Sequence, residues 1–183
     1  EFDAAVEAVQ EATRLCRAVR EEMVVNASLE KADHSPVTVA DFGSQALICR
    51  RLKDAFPGDP IVAEEDAEEL RQSSHSDMLG KNGEYVQSYV PSSSSQDVCD
   101  WIDAGNGEVS DRYWTLDPID GTKGFLRNDQ YAVALALIED GEVKVGVLGC
   151  PALFMELSEI DGQIGGVGNR HKGWWYGDLA PGQ

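Results

Sequence analysis

The segment 117–122, with the sequence Asp-Pro-Ile-Asp-Gly-Thr, holds the residue types best suited to chemistry. Its two carboxylates, Asp117 and Asp120, stand three residues apart around a proline, and the Gly-Thr pair follows at once. The residues before it predict a strand from Arg112 to Leu116 that ends at Asp117, then a turn and a short helix starting near Gly121. Such a turn directs both carboxylates into one small volume. The helix start offers free N–H groups and a positive dipole end to an anion. Together these features are typical of a protein that holds Mg²⁺ against a phosphate.

Two acidic residues further upstream are candidates for the same chemistry. Glu64 directly follows the predicted strand Ile61–Ala63, so its carboxylate is positioned by the strand, whereas an acidic surface patch is the alternative for the run 64–69. Asp41 closes the pattern Thr38-Val-Ala-Asp at a predicted helix start, and these residues alone favour a capping acid.

The residues of the central segment also have structural alternatives. An Asx-type turn around Pro118 accounts for two acids at this spacing. Thr122 is a suitable N-cap for the helix that follows it. Ile119, between the two acids, has no side chain that binds a metal.

Three segments, in order along the chain, resemble the signature of the lithium-sensitive, Mg²⁺-dependent phosphomonoesterases of the inositol monophosphatase superfamily. They are 35–45 (Ser-Pro-Val-Thr-Val-Ala-Asp-Phe-Gly-Ser-Gln), 61–66 (Ile-Val-Ala-Glu-Glu-Asp) and 114–125 (Trp-Thr-Leu-Asp-Pro-Ile-Asp-Gly-Thr-Lys-Gly-Phe). Within that superfamily, Lys-Gly-Phe after the Gly-Thr pair and Ser-Pro-Val-Thr before Asp41 are most similar to the 3'(2'),5'-bisphosphate nucleotidases. The resemblance runs from about residue 3 to about residue 151.

The resemblance implies a role for each candidate residue. It implies a magnesium site made of four oxygen ligands: Glu64, Asp117, the backbone carbonyl of Ile119, and Asp120. Asp41 then holds a further ion and counts as catalytic. Glu64 and Thr122 orient the attacking water, while the backbone N–H groups of Gly121 and Thr122 bind the phosphate oxygens. One departure from the family pattern is Ala63, where a glycine usually precedes the glutamate.

The implied activity is Mg²⁺-dependent hydrolysis of the 3'-phosphate of adenosine 3',5'-bisphosphate to AMP and phosphate, in sulfur assimilation. The first alternative is a phosphatase for inositol phosphates or other sugar phosphates. The pair Lys123-Gly124 disfavours an inositol phosphate as the substrate, because inositol monophosphatases usually carry Thr-Asn there. The second alternative is a non-catalytic metal-binding fragment. The family's second domain supplies a further aspartate ligand and much of the substrate pocket, and this chain shows no counterpart to it.

The composition limits the partners. With 33 acidic and 15 basic residues among 183, the net charge of −18 opposes binding to nucleic acid or to an anionic membrane. The resemblance implies a small-molecule nucleotide substrate as the partner. No apolar run reaches the roughly 18 residues of a membrane helix. Four separated cysteines predict reduced thiols in an intracellular protein, cytoplasmic or organellar. The oligomeric state stays open, as does a targeting segment, because the first residue is not methionine.

The elements around these motifs predict an α+β fold, in which two helices pack on a largely antiparallel sheet. By resemblance this is the first domain of the layered α/β inositol-monophosphatase-like fold, so residues 1–183 form an N-terminal metal-binding phosphatase domain whose second domain is missing. Apolar spacing predicts helices over 3–25 and 39–56. Residues 66–110 are expected to form an insertion loop with one short helix near Val98–Ile102. Strands are expected over 131–138 and 143–149, joined by an Asp-Gly turn, with a weaker hairpin over 163–179.

Overall fold

Five strands form one mixed sheet in the computed structural model, which describes residues 1–26, 36–127 and 129–152 and the backbone of 174–178. In chain order the elements are α1 (Phe2–Asn26), α2 (Pro36–Ala55), β1 (Ile61–Ala63), a 3₁₀ turn (Ser73–His75), α3 (Ser76–Gln87), α4 (Ser95–Asp103), β2 (Arg112–Asp120), α5 (Thr122–Arg127), β3 (Ala132–Glu139), β4 (Glu142–Gly149) and β5 (Trp174–Asp178). The sheet follows the order β1-β2-β3-β4-β5. Its first pair is parallel and the others are antiparallel. This is the α+β arrangement predicted from the sequence.

Helix α2 is the centre of the helical layer. It contacts α1, α3, α4, α5 and the strand β2, so every side chain from Val39 to Cys49 is buried. A helix surrounded in this way is apolar on most sides, and its few polar residues face particular neighbours. The polar residues buried on it are Asp41, Ser44 and Gln45.

The strands bury alternate residues against these helices, as expected for a sheet with one covered face. Trp114, Leu135 and Val147 lie on the covered face of β2, β3 and β4. The predicted hairpin between β3 and β4 is confirmed. Its two turn residues, Asp140 and Gly141, have φ values of 52° and 77°, which suit a tight hairpin turn.

The prediction that β2 ends at Asp117 is wrong. The strand continues through Pro118 to Asp120, and its register against β3 shifts between Asp117 and Asp120. The shift accommodates a proline that cannot donate a ladder hydrogen bond, while Ile119 anchors the extension because it is only 2% exposed. The helix predicted near Gly121 is confirmed and begins at Thr122.

The prediction of an insertion loop over 66–110 is wrong in its first half, because α3 occupies Ser76–Gln87. The sequence there is mostly polar, but Met78 and Val86 of α3 are buried. Because α3 packs against α2, tertiary contacts stabilise a helix that the local sequence does not predict. The predicted short helix is confirmed as α4. A capping box between Ser94 and Asp97 fixes its start.

Most of the predicted hairpin over 163–179 lies outside the described residues. Within it, β5 pairs antiparallel with β4. All four cysteines are free thiols, three of them buried and Cys150 partly buried. No helix in the described part of the chain is both long and apolar enough to cross a bilayer.

Candidate active site

The parallel strands β1 and β2 bring two of the sequence motifs side by side. Ala63, the last residue of β1, is paired with Leu116 of β2. The next residue on each chain is acidic: Glu64 follows Ala63, and Asp117 follows Leu116. Because parallel strands point their carboxyl ends to the same edge of a sheet, both residues lie at one edge.

Helix α2 contributes a third carboxylate to this edge. Asp41 is 8% exposed, and burial, followed by the negative charges of Glu65, Glu64 and Asp117, raises its pKa to about 8. The three predicted segments, far apart in sequence, thus place acidic groups within electrostatic range of one another. The capping alternative for Asp41 falls on residues 36–38, whose side chains are outside the described set.

Glu65, a member of the acidic run 64–69 for which the sequence predicts no individual role, belongs to the same group. It is partly buried, and burial together with its acidic neighbours, Glu64 first, raises its pKa. Its position immediately after Glu64 and a strand end was the only signal in the sequence. Whether it faces Asp41 or the solvent depends on a turn that local sequence does not determine.

The Asx turn considered as an alternative for the central segment is present. The Asp117 carboxylate accepts a hydrogen bond of 3.1 Å from the N–H of Ile119. This bond lowers the pKa of Asp117, but burial and the charges of Glu64 and Asp120 outweigh it, so the pKa is raised overall. The turn therefore fixes the orientation of the carboxylate within range of its acidic neighbours, and the structural interpretation of these residues is compatible with the functional one.

The segment after Asp120 is a tight turn into α5. Gly121 has a φ of 94°, which favours glycine, and the Thr122 hydroxyl donates a long 3.4 Å hydrogen bond to the carbonyl of Ile119. A Cβ on Gly124 would lie 1.9 Å from the carbonyl oxygen of Gln130, so this glycine is required by backbone packing. Thr122 and the carbonyl of Ile119, both predicted site groups, are thus in contact.

No positively charged side chain neutralises this edge within the described residues. The carboxylates brought together there form none of the ion pairs found in that part of the molecule; they are Asp41, Glu64, Glu65, Asp117 and Asp120. Over residues 1–26, 36–127 and 129–152, no three His, Cys, Asp or Glu side chains are arranged closely enough to hold a metal ion. The donors are all oxygens and their charges repel, which fits a hard divalent cation as the missing counter-charge.

Comparison with known proteins places these motifs in one family. The model of the inositol monophosphatase family matches residues 1–173. The chain is 43% identical to a 3'(2'),5'-bisphosphate nucleotidase of Oryza sativa, over 94% of this chain and 49% of that protein. It is 44% identical to 3'(2'),5'-bisphosphate nucleotidase 1 of Arabidopsis thaliana, over 84% of this chain and 47% of the relative. The chain therefore spans about half the length of the curated relatives it matches.

A solved structure supports the fold. CysQ from Bacteroides thetaiotaomicron, described as a bacterial member of the inositol monophosphatase family, superposes with a TM-score of 0.50 at 22% identity. The match covers 82% of this chain and 42% of CysQ. At this identity the similarity establishes a common fold and no more.

Proposed function

The chain belongs to the inositol monophosphatase family, and we propose that it carries the metal-binding site of a 3'(2'),5'-bisphosphate nucleotidase. The proposed reaction is Mg²⁺-dependent hydrolysis of the 3'-phosphate of adenosine 3',5'-bisphosphate, which gives AMP and phosphate. The observation that carries the proposal is the convergence of Asp41, Glu64 and Asp117, from three separate motifs, at one edge of the sheet. The names of the relatives support the choice of substrate.

Four groups would hold Mg²⁺: the carboxylates of Glu64, Asp117 and Asp120 and the backbone carbonyl of Ile119. All are hard oxygen donors, which this cation prefers, and Asp41, which interacts electrostatically with Glu64 and Asp117, would hold a further ion. When bound, Mg²⁺ neutralises phosphate charge and increases the acidity of a water molecule. It would also supply the counter-charge that the described part of this edge lacks.

The protein groups would position the water and the phosphate. Glu64 would accept a proton from the attacking water, and Thr122 would orient that water while its own hydroxyl is directed by the Ile119 carbonyl. The N–H groups of Gly121, just before α5, and of Thr122, its first residue, would bind phosphate oxygens. N–H groups at the start of a helix have no hydrogen-bond acceptor within the helix. No covalent enzyme intermediate is needed, because the proposed nucleophile is water. Burial raises the pKa of the Cys16 thiol to about 12, which also disfavours that thiol as a nucleophile.

The two residues of the Lys123-Gly124 pair, which by resemblance is typical of the nucleotidases, have different structural roles. Gly124 is fixed by its close approach to Gln130, whatever the substrate. Lys123 is exposed on the first turn of α5 and remains the residue of the pair that can contact a substrate phosphate.

A phosphate-release assay with Mg²⁺ tests the proposal, with adenosine 3',5'-bisphosphate compared against inositol 1-phosphate. We expect the nucleotide to be preferred, Li⁺ to inhibit, and Asp120→Asn to remove the activity. Asp111→Asn is the matched control, because Asp111 is an exposed acid at the opposite end of β2. Preference for inositol 1-phosphate would contradict the nucleotidase assignment and favour an inositol phosphate phosphatase. Equal, measurable activity of the two variants would refute the site, whereas no activity in the parent chain would favour the non-catalytic metal-binding fragment. We propose sulfur assimilation as the cellular role, and a preference for the nucleotide would be consistent with it.

A further inference from the structure

We propose that Gln45 is a positioning residue that holds the acidic turn 64–66 in place at the candidate active site. The expected effect of Gln45 on metal binding and turnover rests on the proposed function, whereas its effect on the geometry of the turn does not. Gln45 lies on α2, one helical turn beyond Asp41, and its side chain is fully buried.

The Gln45 amide is hydrogen bonded at both ends to the backbone of one residue. Its Oε1 accepts from the N–H of Glu65 at 3.0 Å, and its Nε2 donates to the carbonyl of Glu65 at 2.5 Å. The same Nε2 donates to the carbonyl of Ile102, in the last turn of α4, at 2.9 Å. A side-chain amide can pair with a backbone amide in this way because it offers a donor and an acceptor side by side.

The turn needs such a partner because its strand has ended. The ladder between β1 and β2 stops at Ala63, so strand pairing with β2 does not extend to Glu64 and Glu65. A buried backbone amide without a partner is strongly disfavoured. Gln45 supplies, from a helix, the pair of hydrogen bonds that a further strand residue would have supplied.

The end of α4 fixes the turn from its other side. The Asp103 carboxylate accepts a hydrogen bond of 2.8 Å from the N–H of Ala67 and forms an ion pair with Arg71. The carbonyl of Gly105 accepts from the N–H of Ala63 at 2.8 Å. The turn is therefore held before and after its acidic residues.

The backbone of Gly105 packs closely against the Gln45 amide. A Cβ on Gly105 would lie 2.7 Å from Nε2 of Gln45 and 2.7 Å from Cβ of Ala63. This close packing matters because the negative charges of Glu64 and Glu65 lie within electrostatic range of Asp41. A turn carrying repelling charges keeps its geometry only if its backbone is held by something other than those charges, and Gln45 is the buried group in contact with it.

Gln45→Met tests the inference in the full chain, because methionine preserves length and burial but removes all three hydrogen bonds. Leu52→Ala is the matched control: it removes a fully buried side chain two turns further along α2, away from the turn. We expect the N–H of Glu65 to exchange with solvent at least about tenfold faster in Gln45→Met, relative to the amides of β2. In Leu52→Ala the Glu65 and β2 amides should change together.

Mg²⁺ titration provides the second readout. We expect the affinity to fall by about 10- to 100-fold in Gln45→Met, as for other groups that orient metal ligands, and to stay within about twofold in Leu52→Ala. Any turnover should lose kcat with little change in KM, because a fully buried Gln45 is not accessible to a substrate. Gln45→Asn, which is one methylene shorter and cannot reach both groups of Glu65, replaces Gln45→Met if that variant does not fold.

Unchanged relative exchange at Glu65 in the folded variant would overturn the inference. So would a loss of Mg²⁺ affinity that is equal in Leu52→Ala. If the parent chain binds no Mg²⁺ while the Glu65 amide is still released in the variant, the proposed function fails and the positioning of the turn by Gln45 stands.

Discussion

The two ends of the strands β1 and β2 both gather acidic side chains, but only one end neutralises them. At the start of β2, Arg112 donates to both carboxylate oxygens of Asp59 at 3.0 Å and forms ion pairs with Glu1 and Glu139. Trp114 adds an indole N–H to Asp59 at 3.1 Å. At the other end, the described residues offer no such partner to Glu64 and Asp117. Acids paired with an arginine connect elements of the fold, whereas acids left together are available to a ligand.

The paired end is a junction between four parts of the chain. Through Arg112 it connects the start of α1, the loop before β1, and the strands β2 and β3. The carboxylates at the unpaired end are positioned instead by backbone: the Asx turn at Asp117, the tight turn after Asp120, and the Gln45 contacts at Glu65. Ion pairs with Arg112 therefore hold the acids at the paired end, where they connect elements of the fold. At the unpaired end, hydrogen bonds to the backbone hold the segments that carry the acids, and their charges stay without a partner among the described residues.

The largest expected effect is a loss of turnover at the unpaired end. Asp120→Asn keeps the shape of the side chain but removes a ligand charge, so turnover should fall by more than about 100-fold where the protein is active. Folding should survive, since removing one of several repelling charges relieves the fold. Steady-state phosphate release and urea unfolding measure the two effects. An Asp120→Asn protein that unfolds would place this residue among the structural acids.

The next largest effect concerns the backbone after Asp120. Gly124→Ala brings a Cβ within 1.9 Å of the Gln130 carbonyl and should cost at least about 1–3 kcal/mol of unfolding free energy. Gly80→Ala is the control. Gly80 lies in α3 with nothing within 4 Å of its Cβ position, so alanine there should stabilise by roughly 0.5–1 kcal/mol. Chemical denaturation measures the unfolding free energy of both variants. Equal values would show that a Cβ at position 124 is tolerated, contrary to its close approach to the Gln130 carbonyl.

The paired end should respond in stability and not in metal binding. Arg112→Met leaves Asp59, Glu1 and Glu139 without their cation, and we expect a loss of about 1–2 kcal/mol, limited because the arginine is 33% exposed. Lys144→Met, at an exposed pair with Glu142, should change stability by less than about 0.5 kcal/mol. Unfolding curves at low and high salt measure both. A salt-insensitive Arg112→Met difference would show that the hydrogen-bond geometry of the guanidinium, and not its charge, stabilises the junction.

Local patterns made much of this arrangement predictable. The apolar spacing of α1 and the Asp-Gly turn between β3 and β4 depend on neighbours in sequence, and both were predicted closely. The extension of β2 through Pro118 depends on the burial of Ile119, and α3 depends on its packing against α2, so local sequence predicts neither. Sequence motifs select Asp41, Glu64 and Asp117 as candidate site residues. The proximity of Glu64 and Asp117 depends on the parallel register of β1 and β2, and that of Asp41 on the packing of α2 against β2.

The roles of Glu65 and Gln45 were missed for the same reason. Both depend on how α2 meets the turn after β1, a contact between residues 20 positions apart. The extent of the domain, and the part of the site that a second domain would supply, stay predictions from resemblance.

The smallest expected effect is a gain in stability when one charge is removed at the unpaired end. Asp117→Asn retains an oxygen that can accept the Ile119 N–H but no longer repels Glu64 and Asp120. Without metal, the variant should be more stable by up to about 1 kcal/mol. Thermal unfolding in EDTA measures this difference. A variant less stable than the parent would indicate that a cation from elsewhere in the chain already pairs with Asp117.

Calorimetric titration of Mg²⁺ into the parent chain, Asp117→Asn and Arg112→Met tests the difference between the two ends most directly. Binding by the parent, its loss in Asp117→Asn and its retention within about threefold in Arg112→Met are the results expected if the unpaired carboxylates hold the ion. Absence of binding in the parent, or equal affinity in the parent and Asp117→Asn, would contradict the assignment of this end of the sheet as the metal site.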